Sequence, residues 1–86
     1  MHFITLAANT AQVYGVDTDT LRRYFGQKLR QLRKHSNMTQ EDLAEILDIS
    51  VEHVSLLERG ISGASFDTLA KLTEAFGVSV KDLFDF

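Results

Sequence analysis

The stretch TQEDLAEILDISVEHVSLLERG, Thr39 to Gly60, decides how this chain is read. Leu43, Ala44 and Ile46 mark an inward face on its first half, and Val54 and Leu57 mark another on its second. Only Leu47-Asp48-Ile49 separates the two. Each half opens on a hydroxyl residue with an apolar neighbour before it and another four places after it. Thr39 stands between Met38 and Leu43, and Ser50 between Ile49 and Val54. The hydroxyl accepts from an orphan N–H of the first helical turn, and the apolar pair sets the angle at which the chain enters the helix. The pattern predicts two short helices joined by a tight turn. Ala44 is small, as close crossing demands. Asp48 falls where such a turn needs positive φ, a conformation Asp adopts less easily than Gly.

The same opening signature recurs downstream. Ser65 lies between Ala64 and Leu69, and Ser79 between Val78 and Leu83. Asp42 and Asp82 occupy the position that completes a capping box. Gly60 and Gly77 fall where a left-handed residue ends a helix. Upstream, Leu21, Phe25, Leu29 and Leu32 form one amphipathic stripe that runs out at His35-Ser36-Asn37. Five helices with short connections result. No alternating strand pattern follows residue 20, so the expected class is all-α, a compact five-helix domain over residues 20–86.

Residues 1–19, MHFITLAANTAQVYGVDTD, hold no Lys, Arg or Glu and are read as a separate N-terminal extension. His2–Ala7 and Gln12–Val16 suit two short strands about Asn9-Thr10. Such a β-arm would pair with its twin in a dimer, since a lone hairpin is marginal in water. A frayed terminus is the other reading.

A chain of 86 residues fits one small domain, and 44% hydrophobic with 24% charged residues is a globular balance. The absence of cysteine excludes disulfides and Cys-ligated zinc. FITLAA, Phe3 to Ala8, is too short to span a membrane and lacks the basic flank of a secretory signal. A cytoplasmic protein without membrane contact is expected. The net charge of −3 argues against nucleic acid, but its distribution argues otherwise. Arg22, Arg23, Lys28, Arg30, Arg33 and Lys34 lie between Leu21 and Gln40 with no acid among them, whereas from Glu41 onward ten acids face three bases. One basic face on an acidic molecule is expected, or simply a solvated helix face.

The spacing of the second and third helices is that of a helix-turn-helix, whose second helix is offered to the major groove. Residues 25–84 resemble the lambda-repressor-like, or XRE, regulators of the Cro and phage-repressor type. The resemblance rests on Arg33-Lys34 four residues ahead of Thr39-Gln40, on LAEIL at 43–47, on Ser50 to Gly60, and on GVSVKDLF at 77–84. It covers all five helices. The resemblance implies a homodimer bound to two half-sites of double-stranded DNA. It places Thr39, Gln40, Ser50, Val51, Glu52, His53, Ser55, Leu56 and Arg59 at the DNA.

Within that frame each side chain has its own chemistry. Gln40 would take a phosphate or a base edge beside a helix N-terminus. Glu52 would accept from a cytosine amino group, and Val51 or Leu56 would lie against a thymine methyl. His53 and Ser55 would donate to bases or phosphates, and Arg59 would reach the backbone. Glu52 also reads as a first-turn acid favoured by the helix dipole, and Leu56 as a partner-packing residue. The resemblance further implies a partly buried salt bridge, Arg33 to Glu58, joining the first helix to the third. The loop Ile61-Ser62-Gly63-Ala64 departs from the pattern, having neither the basic residues nor the Pro that relatives often carry. Backbone N–H groups around Gly60 and Gly63 remain as phosphate donors.

Phe84 and Phe86 are read as dimer contacts or as core filling beneath Phe76. His2, His35 and His53 lack metal-ligand spacing, and no nucleophile or phosphate-loop motif is present, so neither metal, cofactor nor enzymatic activity is expected. The reading is a sequence-specific DNA-binding transcriptional regulator, a homodimeric repressor using helix 50–59. The alternative is a protein-interaction module, antitoxin-like, that docks a protein partner on the same surface.

Overall fold

Every helix in the computed structural model, which describes residues 15–86, begins on a side chain that accepts a first-turn N–H. The helices are α1 (Thr18–His35), α2 (Gln40–Leu47), α3 (Val51–Glu58), α4 (Phe66–Phe76) and α5 (Val80–Leu83), and no strand occurs among the described residues. Thr39, Ser50, Ser65 and Ser79 cap α2 to α5, with full capping boxes at Thr39/Asp42 and Ser79/Asp82. The N–H of Ser79 holds the Asp82 carboxyl below the usual carboxylate range. These bonds are local, which is why the caps are readable in sequence.

The first helix starts earlier than the extension boundary at 19 suggests. Asp17 accepts from the Thr20 N–H at 2.7 Å and opens α1 at Thr18. Of the two strands expected in the extension, His2–Ala7 lies outside the described residues, as does Gln12–Val16 apart from Gly15 and Val16. The turn after α2 passes through Asp48 at φ 56° and ψ 46°, the left-handed conformation, and Gly60 and Gly77 are left-handed after α3 and α4.

Leu29, Leu43, Leu47, Val54, Leu57, Leu72 and Leu83 form a fully buried centre to which all five helices contribute. The apolar residues before and after each cap, Met38, Ile49, Ala64, Leu69 and Val78 among them, pack around it. One inward assignment is corrected. Ile46 is 45% exposed, and Leu47, placed in the turn by its neighbours, is buried in its stead. The reason is that α2 continues through Leu47, so Leu43, Ala44 and Leu47 share a face at i, i+1 and i+4 while Ile46 rotates away from it.

α1 and α3 approach until their backbones touch. A Cβ on Gly26, in mid-α1, would collide with the carbonyl oxygen of Leu57 and lie 2.6 Å from that of Glu58. No flexible side chain stands there to yield. Gly26→Ala should therefore destabilise the fold by about 1–3 kcal/mol or more, the range for overpacking, despite the better helix propensity of Ala. Gly77→Ala meets open space and only left-handed strain, so it should cost about 1–2 kcal/mol. Urea denaturation of both variants checks the order.

Candidate nucleic-acid interface

The α2–turn–α3 unit is held by charge as well as by apolar packing. Arg33 of α1 reaches Glu58 at the end of α3 with both ends of its fork, Nε to Oε2 at 2.6 Å and Nη2 to Oε1 at 3.1 Å. Its Nη1 donates to the carbonyl of Met38, ahead of α2, at 2.8 Å. Gln40, the first residue of α2, donates Nε2 to the same Glu58 Oε1 at 3.1 Å. Arg33 and Glu58 retain 10% and 3% side-chain exposure, so the pair is withdrawn from water. The guanidinium of α1 and the amide of α2 thus meet at one carboxylate of α3, and the same guanidinium holds the carbonyl of the turn before α2. Among the described residues no buried side-chain nitrogen or oxygen lacks a partner.

The side chains expected at DNA divide into two kinds. Thr39 and Ser50 are exposed, but their hydroxyls are occupied as caps, accepting from Asp42 N and His53 N at 3.0 Å each. Val51 and Glu52 are exposed on the first turn of α3, with His53, Ser55 and Leu56 half-buried beyond them. Arg59 is exposed and its Nε donates to Ser55 Oγ at 3.2 Å, which ties the last turn to its own end. Gln40 is half-buried and directed toward Glu58. Its second amide hydrogen and its carbonyl are not used by that bond. Gly60 N–H donates to Leu57 O at 3.1 Å, so it is not an open donor.

Phe84 and Phe86 occupy an intermediate position. Phe84 packs on the core residue Phe25 at a ring distance of 5.2 Å, Phe86 on Tyr24 at 5.6 Å, and the two on each other at 6.2 Å. They still leave 39% and 48% exposed. Both filling and patch are therefore present. A cavity of about 150 Å³ opens beside them between Leu21, Arg22, Phe25, Gly63, Ala64, Leu69 and Phe84. Phe66, 88% exposed at the start of α4, has no counterpart in the sequence reading.

Sequence reasoning missed two residues that position this surface. Gly26 offered a signal, since an isolated glycine inside a helical stripe often marks close packing. Lys71 offered none: its Nζ crosses from α4 to the carbonyl of Leu47 at 3.2 Å, covering the end of α2. Among the described residues no cluster of three metal-ligating side chains occurs, and no helix is long and apolar enough to cross a membrane.

The comparisons with known proteins agree with this geometry. The helix-turn-helix family model matches residues 29–83. The control protein C.BamHI of Bacillus amyloliquefaciens is 46% identical over 70 residues, 80% of this chain and 86% of that one. Among solved structures, the restriction-modification controller protein C.AhdI of Aeromonas hydrophila superposes with a TM-score of 0.69 at 33% identity, covering 73% of this chain and 96% of that one. The clp gene regulator ClgR of Corynebacterium glutamicum gives 0.69 at 38% identity, over 73% and 67%. The chain belongs to the XRE-type, lambda-repressor-like helix-turn-helix family of DNA-binding transcriptional regulators.

The hub at Glu58 is directly testable. Removing one member of a buried pair strands the other, at about 3–5 kcal/mol. Arg33→Ala should lower the thermal midpoint sharply, and Gln40→Ala, which removes one neutral donor, should cost about 1 kcal/mol. An unchanged midpoint in Arg33→Ala would show that the pair does not organise the fold.

Proposed function

We propose that this protein is a homodimeric, sequence-specific regulator that lays α3 in the major groove of double-stranded DNA and represses by occluding a promoter. The observation that carries the reading is the outward row on α3 held by the hub at Glu58. Val51, Glu52, His53, Ser55 and Leu56 are presented on a helix whose opposite face is wholly committed to the core. Direct readout needs such rigidity, because a base-edge hydrogen bond tolerates little displacement. Glu52 takes a cytosine amino group, and Val51 or Leu56 takes a thymine methyl. Gln40, with one hydrogen spent on Glu58, offers the other to a phosphate at the start of α2. Thr39, Ser50 and Arg59 border the same contact. The work is done in the cytoplasm, without a cofactor and without catalysis.

The second copy is proposed to meet the Tyr24, Phe84 and Phe86 aromatics, whose exposure exceeds what core filling requires. The similarity to C.BamHI and to the restriction-modification controller C.AhdI supports control of restriction-modification genes as the biological setting.

Selection from a random double-stranded DNA pool tests the reading. It should enrich a two-fold symmetric site with half-sites about one helical turn apart, bound more weakly as salt rises. Phe86→Glu should shift the protein from dimer to monomer in sedimentation while leaving its helical spectrum unchanged. No enrichment by a folded protein at low salt would favour the protein-docking alternative.

A further inference from the structure

Phosphate contacts need cations, and their placement here is unusual. The segment that joins α3 to α4 runs from Arg59 to Ser65; Arg59 opens it, and no other Lys or Arg follows before Lys71. Yet α3 has only eight residues, about 12 Å of helix, comparable to the width of the major groove. Whatever follows α3 must then face the groove wall, which is phosphate. Beyond Arg59 the loop carries no charge of its own where the duplex is most negative.

The structure brings charge there from another element. A Cβ on Gly60 would lie 2.7 Å from the Cα of Arg23, so the loop backbone is pressed against α1 at that residue. A Cβ on Gly63 would lie 3.4 Å from the Nε of Arg22. At Gly60 the missing side chain is what lets α1 come so close, whereas at Gly63 a Cβ would only touch the Arg22 side chain at ordinary contact distance. Arg22 also lines the cavity shared by Leu21, Phe25, Gly63, Leu69 and Phe84, and its Nε lies beside the loop at Gly63. Arg23 is exposed; its Nη2 donates to Thr20 Oγ1 at 3.3 Å, and its charge adds to the lowering of the Asp17 carboxyl that the Thr20 hydrogen bonds chiefly produce. A guanidinium has five N–H donors, so this contact does not exhaust it.

We propose that Arg22 and Arg23 add to Arg59 the cations that the rest of the α3–α4 loop lacks, each taking a backbone phosphate of the duplex beside the end of α3. The inference rests on the DNA reading above and adds residues that lie outside the helix-turn-helix itself. It accounts for the cations at the start of a basic first helix on an acidic molecule, and for a glycine at position 60, where bulk would separate the two. Phosphates carry no sequence, so these arginines set affinity and register, not specificity.

The experiment is a salt titration of the whole chain on its selected duplex and on an unrelated duplex. Replacing Arg22 and Arg23 by Ala should lower the slope of log K against log salt by about 0.9 for each residue. Affinity should fall by the same factor on both duplexes, leaving the specificity ratio unchanged. Lys28→Ala, which removes a cation whose charge acts on Asp82 of α5, should leave the slope as it is. Ser62→Lys, which puts a cation into the loop itself, should restore one lost contact to the double variant. Arg22→Met, which keeps the apolar stem, replaces Arg22→Ala if that variant melts early. A folded double variant with the parental slope overturns the inference and leaves the DNA reading intact. A parent that shows no salt-dependent binding to either duplex overturns the DNA reading, and the inference with it.

Discussion

The arrangement of the first three helices depends on one carboxylate. Glu58 ends the helix that faces outward, and its two oxygens accept from Arg33 and from Gln40. A buried ion pair contributes little net stability relative to an apolar pair of equal volume, since desolvation consumes most of the attraction. Its consequence is discrimination between arrangements. Any rotation of α3 that breaks the contact strands two charges away from water. The same guanidinium also satisfies the carbonyl of Met38, so the entry into α2 is tied to the end of α3. The outward face of α3 therefore inherits its rigidity from a group that does not face solvent.

Close approach complements that hub. Gly26 lets α1 rest on the last carbonyls of α3, and Gly60 lets the following loop rest on α1. A long basic helix thus runs beside the short outward helix over its final turn and past it. Net charge conceals this partition. α1 carries six Lys or Arg against one acid, while the remaining helices are predominantly acidic. A binding surface for a polyanion needs local charge, not a positive total, because at physiological salt fields are screened within about 8 Å.

Much of this was legible in the chain. Thr39, Ser50, Ser65 and Ser79 announce their helices because a capping hydroxyl bonds a backbone group three residues away. Asp48 announces the tight turn because few non-glycine side chains tolerate positive φ. The stripe of α1 failed only in part: Phe25 and Leu29 are core, whereas Leu21 is 39% exposed where it lines the open cavity beside Leu69 and Phe84. Ile46 and Leu47 exchange roles because a helix boundary set one residue short leaves Leu47 in the turn, and adjacent helical positions point about 100° apart. The cap at Asp17 escaped notice because the stripe that follows it begins several residues later.

Sequence by itself determined the local events: where helices begin and end, which turn is left-handed, which faces are apolar, and that charge is segregated along the chain. Each of these depends on interactions within about four residues, which the order of side chains specifies directly. The direction of the Gln40 amide, the contact of Gly26 with the carbonyls of α3, the Lys71 bond to Leu47, and the delivery of Arg22 and Arg23 to a loop nearly forty residues away were decided only in the tertiary structure. Those contacts join groups far apart in sequence. Their existence depends on how five helices pack around one shared core, and on which small residues let backbones meet.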